Sequence, residues 1–188
     1  MAISLLKGGS VSLSKASPNL KNIQVILGWE TNKNSGADFD LDVSLFLLGE
    51  GGKVINDDHF IFYNNRNSPC GAVVHQGDNR TGTEGEEILI NLEKISSKVS
   101  KVVFSVSIHE AKERNQNFGQ INNAYISIVN QEGNKEIARY ELNKDASEHT
   151  RVNFGELYQE KSSWEFKAIG EGFEGGLFDF CKQYGVSV

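Results

Sequence analysis

The sequence of 188 residues has two prolines, two cysteines and one methionine, and no apolar stretch near the roughly 20 residues of a membrane span. Two distant thiols, Cys70 and Cys181, do not make the disulfide framework of a small secreted domain. The apolar run within Met1–Gly9 is too short for a signal peptide, so a reducing, cytoplasmic setting is expected. Base is scarce as well: 19 Lys and Arg stand against 25 Asp and Glu, a net charge of −6. A surface of that sign does not neutralise phosphates, which argues against a nucleic-acid partner. The four histidines, His59, His75, His109 and His149, share no zinc-type spacing.

What is abundant is alternation and glycine. Ile23, Val25, Leu27 and Trp29 recur every second residue, as do Leu41, Val43, Leu45 and Leu47. Short strands are also expected at His59–Tyr63, Ile88–Leu92, Val102–Ile108, Ala124–Val129, Glu136–Leu142, Arg151–Leu157 and Trp164–Ile169. Turn sequences rich in glycine and asparagine separate several of them. Many short strands with little helix between them predict an all-β chain folded as a two-sheet antiparallel β-sandwich. One helix is predicted: Leu177, Phe180, Cys181 and Tyr184 fall at i, i+3, i+4 and i+7, with Gly185 as the terminator, and the helix should cover an end or edge of the sheets. Cys181 on that stripe reads as a core residue. No linker or repeat divides the chain, so residues 1–188 form a single domain.

The charge is concentrated. Between Glu30 and Ile90 there are 11 acids and 4 bases, and the rest of the chain is close to neutral. Three pieces of this segment carry oxygen donors. Asp38, Asp40 and Asp42 lie at i, i+2 and i+4, on one face of an extended segment, with Phe39, Leu41 and Val43 on the other. Asn64 and Asn65 sit at a strand end. A glycine-punctuated acidic loop runs from Gly77 through Asp78 and Asn79 to Glu86 and Glu87. Clustered carboxylates repel unless something neutralises them. Oxygen-only ligation suits a hard cation: Ca2+, which accepts about 6–8 oxygens in flexible geometry, ranks ahead of Mg2+. An EF-hand does not fit, because its turn glycine is replaced by Val43 and its twelfth position is Gly49.

No catalytic residues are expected. Cys70 lies in acidic surroundings that do not activate a thiol. Gly172-Phe173-Glu174-Gly175-Gly176 lacks the Lys-Ser/Thr ending of a phosphate loop and reads as a turn. His109-Glu110, after the strand ending at Ile108, either reaches the acidic cluster or closes that strand.

The same residues carry a family likeness. Leu6-Lys7-Gly8-Gly9, the strand Val11-Ser12-Leu13-Ser14, Gly28-Trp29, Phe39-Asp40-Leu41-Asp42, Phe62-Tyr63-Asn64-Asn65 and Gly77-Asp78-Asn79 occur in order. Ile108-His109-Glu110-Ala111, Asn117-Phe118-Gly119-Gln120, Phe154-Gly155-Glu156-Leu157-Tyr158 and Gly172-Phe173 with Gly175-Gly176-Leu177 follow them. Nearly end to end, the chain resembles the TerD family of tellurium-resistance and stress-response proteins. The resemblance implies a C2-like sandwich that binds calcium through its acidic loops. Position by position it assigns Asp40 and Asp42, Asn64 and Asn65, and Asp78 and Asn79. Glu86 and Glu87 fall where relatives carry an Asp-Asp-Glu run.

It also implies a cytoplasmic protein associated with other tellurium-resistance proteins at the inner face of the membrane. The expected function is therefore a non-catalytic, calcium-binding regulatory or scaffolding module of the stress response. The alternatives are a calcium-dependent C2-like membrane adaptor and, in a different class, a thiol-based tellurite-processing enzyme.

Overall fold

In the computed structural model, residues 2–31, 39–77, 85–142 and 144–188 are described. Twelve strands are present among them: β1 (Ile3–Leu5), β2 (Ser10–Ser12), β3 (Asn22–Thr31), β4 (Leu41–Leu48), β5 (Phe60–Ile61) and β6 (Val73–His75), then β7 (Glu86–Asn91), β8 (Lys101–Ile108), β9 (Ile121–Asn130), β10 (Lys135–Glu141), β11 (Arg151–Glu160) and β12 (Ser163–Phe173). They form two six-stranded sheets, ordered β1-β10-β9-β3-β7-β6 and β2-β12-β11-β8-β4-β5. Period-two burial drives the arrangement. Leu41, Val43, Leu45 and Leu47 of β4 and Ile23, Val25 and Leu27 of β3 point into one core between the sheets.

Two expectations are corrected. The sandwich is not wholly antiparallel, because β1 runs parallel to β10. It occupies the free edge of β10, and the chain then crosses at once to β2 in the other sheet. There Gly8 N donates to Ala168 O at 2.8 Å and Ala168 N donates to Gly9 O at 2.9 Å. The segment read as a strand through Ser14 stops at Ser12, whose hydroxyl caps a one-turn helix, α1 (Leu13–Ala16), by accepting from Lys15 N.

The C-terminal helix α2 (Leu177–Tyr184) forms as its apolar spacing predicts, and Gly185 ends it in the left-handed conformation at φ 77°. It does not cover an end or edge. It lies on the outer face of the second sheet, where Phe180, Cys181 and Tyr184 pack with Phe46, Leu48, Phe60 and Val103 in a second hydrophobic cluster. The outward residues Phe46 and Leu48 of β4 therefore have an apolar place under the helix, and with the buried Ser44 burial runs unbroken from Val43 to Leu48.

One end of the sandwich gathers the acidic segments. β3, β6, β8 and β12 finish there, and β4, β7, β9 and β11 begin there, as the pairs Leu27–Glu86, His75–Ile88, Leu41–Ile108, Thr31–Ile121 and Arg151–Phe173 require.

Candidate metal site

The first piece is built by β4. Phe39, Leu41 and Val43 are buried in the core, so strand alternation turns Asp40 and Asp42 to the outer face of the second sheet. His109 N donates to Asp40 O at 2.8 Å, which extends the β4–β8 ladder beyond its last pair. The His109 ring also reaches the acids: Nδ1 is 4.0 Å from Asp42 Oδ2 and Nε2 is 3.6 Å from Glu110 Oε1. Both readings of His109 thus hold at once. Asp42 pairs with Ser107 across the ladder, and its side chain is 13% exposed. Asp38 lies outside the described residues.

Behind Asp42 the same face continues as small polar residues. Ser44 pairs with Ser105 on β8, and Ser105 and Ser107 pair with Asn153 and Arg151 on β11. Ser105 Oγ donates to Asn153 Oδ1 at 2.7 Å, and Asn153 Nδ2 donates to Tyr184 Oη at 2.8 Å, so this row is tied to the underside of α2. Arg151 is turned toward the helix, stacked on Phe173 and Phe180 and donating to Glu174 O and Gln183 Oε1. The hydroxyls of Ser44 and Ser107 are buried and have no hydrogen-bond partner among the described residues.

The second piece is a tight turn. Phe62 N donates to Asn65 O and Asn65 N donates to Phe62 O, each at 3.0 Å, leaving Tyr63 and Asn64 at the exposed tip. Asn65 Nδ2 donates to Phe60 O at 2.7 Å, so that side chain holds its own turn. Asn64 is the outward carboxamide of the pair.

The third piece divides between two faces. Glu86 follows the inward parity of Ile88 and Ile90 and is 2% exposed, with Oε2 3.0 Å from Nε2 of the buried His75. His75 Nδ1 accepts from Gly77 N at 3.0 Å, which leaves the imidazole proton on Nε2, facing Glu86. Glu87 points the other way and accepts from Gln24 Nε2 at 2.7 Å. Asp78 and Asn79 lie outside the described residues. The described candidates thus share an end of the sandwich but not a face: Asp40 and Asp42 are outside the second sheet, Glu86 is between the sheets, and Glu87 is outside the first. Among the described residues, no three His, Cys, Asp or Glu side chains form a cluster able to hold a metal ion.

Sequence reasoning passed over Ser44, Ser107 and His75. The signal for the serines was present, since Asp42 and Ser44, like Ser105 and Ser107, occupy the outward phase of strands whose inward phase is plain. His75 closes Val73–His75, a three-residue strand too short to show a period.

Beyond His109, a groove of about 860 Å3 includes Glu110, Glu113, Glu148 and Glu174 in its lining, with Lys112 beside them. The arrangement offers carboxylate, carboxamide, hydroxyl and carbonyl oxygens, the donor set of a hard cation. The expectation that the surroundings leave the Cys70 thiol unactivated is corrected: burial raises it slightly, but the Ser68 hydroxyl and nearby backbone groups outweigh that and draw it below its ordinary value. Cys70 is exposed in the turn before β6, whereas Cys181 is on the buried side of α2 and its thiol is pushed up to about 11, mainly by that burial. No helix among the described residues is long and apolar enough to cross a membrane.

Comparison with known proteins agrees with this architecture. The TerD domain matches residues 1–184. A tellurium resistance protein TerD of Serratia marcescens is 50% identical over 190 residues, covering 100% of this chain and 99% of its own. General stress protein 16U of Bacillus subtilis is 46% identical over 192 residues, with both chains covered in full. The crystal structure of a homologue of telluride resistance protein TerD from Streptomyces coelicolor superposes with a TM-score of 0.69 at 20% identity, over 86% of this chain and 95% of that one. With its fold and its whole length matched in this way, the chain belongs to the TerD family.

Proposed function

We propose that this protein is a calcium-binding module of the tellurium-resistance and general stress response, acting by regulation or scaffolding rather than by turnover. The names of its relatives support the stress role. The observation that carries the calcium reading is the outward pair Asp40 and Asp42, presented on one strand face at the end of the sandwich where β3, β6 and β8 finish and β7 begins. A hard cation with flexible coordination suits donors drawn from separate loops, because each loop adjusts its own carbonyls and carboxylates. The module is non-catalytic: the two thiols belong to different layers of the fold, and Cys181 stays protonated at neutral pH. Its partners are calcium and other proteins of the same resistance system, reached at the inner face of the membrane from the cytoplasm.

Native mass spectrometry tests the ion directly. Calcium adducts are expected on the wild-type chain, reduced in Asp42→Ala and retained in Asp58→Ala, whose carboxylate lies beside β5 near the opposite end of β4. Equal adducts in all three proteins would reduce the cluster to a diffuse acidic surface.

A further inference from the structure

The two orphaned hydroxyls next to Asp42 extend the candidate metal site inward along the strands. A buried hydroxyl that finds no partner is costly to keep, so two of them at diagonal positions of one strand pair need a reason. Both belong to the face that carries Asp42: Ser107 is its direct cross-strand partner and Ser44 is two residues further along β4. Directly opposed side chains in an antiparallel ladder have Cβ atoms about 4.5–5.5 Å apart, and i,i+2 neighbours about 7 Å. Oxygens sharing one calcium ion, each at about 2.3–2.6 Å, lie within about 5 Å of one another, a reach the opposed Asp42 and Ser107 have directly and Ser44, two residues along, has by way of an ion-bound water. The row of Ser44 and Ser105 is the inner limit: Ser105 already donates to Asn153, and the next pair, Phe46 and Val103, is apolar and covered by α2.

We infer that Ser44 and Ser107 are neutral oxygen ligands of the cation held by Asp42, directly or through one ion-bound water, so that the ion sits on the β4–β8 strand pair and not in the loops alone. This rests on the calcium reading above. It gives the orphaned hydroxyls their missing partner, and a hydroxyl presents lone pairs to a cation without adding charge to an acidic site.

The experiment compares wild type, Ser44→Ala, Ser107→Ala and Ser105→Ala by calorimetric titration with calcium chloride and by thermal scans in chelator. Ser44→Ala and Ser107→Ala should each weaken calcium binding about tenfold, with an ion-free melting midpoint equal to or above wild type, since each removes an unsatisfied group. Ser105→Ala should do the reverse, keeping the affinity and lowering the ion-free midpoint, because its hydroxyl is satisfied by Asn153. If wild type binds calcium and the Ser44 and Ser107 variants bind it equally well, the inference is overturned and the calcium reading stands. If wild type binds no calcium, both fall.

Discussion

Single residues set the geometry of the site through what they leave out as much as through what they donate. Gly85 stands at the entry to β7 with φ 56°, and a Cβ there would collide with Leu27 O and with Gly28 of β3. Only glycine allows the backbone to turn this close to its neighbour before Glu86 enters the core. Gly85→Ala should therefore cost at least about 2 kcal/mol, from backbone strain and steric displacement together. For a chain of this size that lowers the melting midpoint by roughly 4–8 °C. A thermal scan that leaves the midpoint within a degree of wild type would show that the loop relaxes at no cost. The glycine was visible in the sequence, but its role was not, because the constraint comes from β3, far away in the chain. Glu86 and Glu87 teach the same lesson. As adjacent acids they looked like one donor group, yet strand parity buries the first against His75 and exposes the second to Gln24.

At the scale of elements, alternation made most strands legible, and β3, β4 and β8 fall where their inward residues place them. Short elements escaped, since Val73–His75 and Leu13–Ala16 hold too few residues to show a period. The helix α2 was legible in extent but not in placement. Its stripe marks an apolar face without naming the surface it covers. That surface became legible only with the second phase of β4, where Phe46 and Leu48 lie on the side away from the central core. The position of α2 gives the two thiols opposite fates. Cys181 is on the sheet-facing side of the helix with a thiol pushed up by burial, while the exposed Cys70, raised slightly by its burial, is drawn down on balance by the Ser68 hydroxyl and nearby backbone groups. A thiol reagent at neutral pH should label one cysteine of the native protein, Cys70, and reach Cys181 only after denaturation. Mass mapping of the labelled peptides reads this out, and rapid native labelling of Cys181 would mean that α2 does not stay on the sheet.

For the whole molecule, the question is why so much acid is placed at one end. Carboxylates directed to a shared region repel one another, and that repulsion is part of the ion-free fold's free energy. A cation that binds only the native state adds about 2.7 kcal/mol when its free concentration is roughly 100 times the dissociation constant. At about 2–4 °C per kcal/mol, calcium at that level should raise the melting midpoint by several degrees. Magnesium at equal concentration should raise it distinctly less, because it resists giving up its water to a flexible oxygen cage. The decisive measurement is a thermal scan of chelator-treated protein with calcium, with magnesium and with neither. A midpoint raised by roughly 5–10 °C in calcium, with the magnesium scan close to the ion-free one, is the expected result. Three coincident midpoints would contradict calcium binding and leave only a solvated acidic surface at that end of the sandwich.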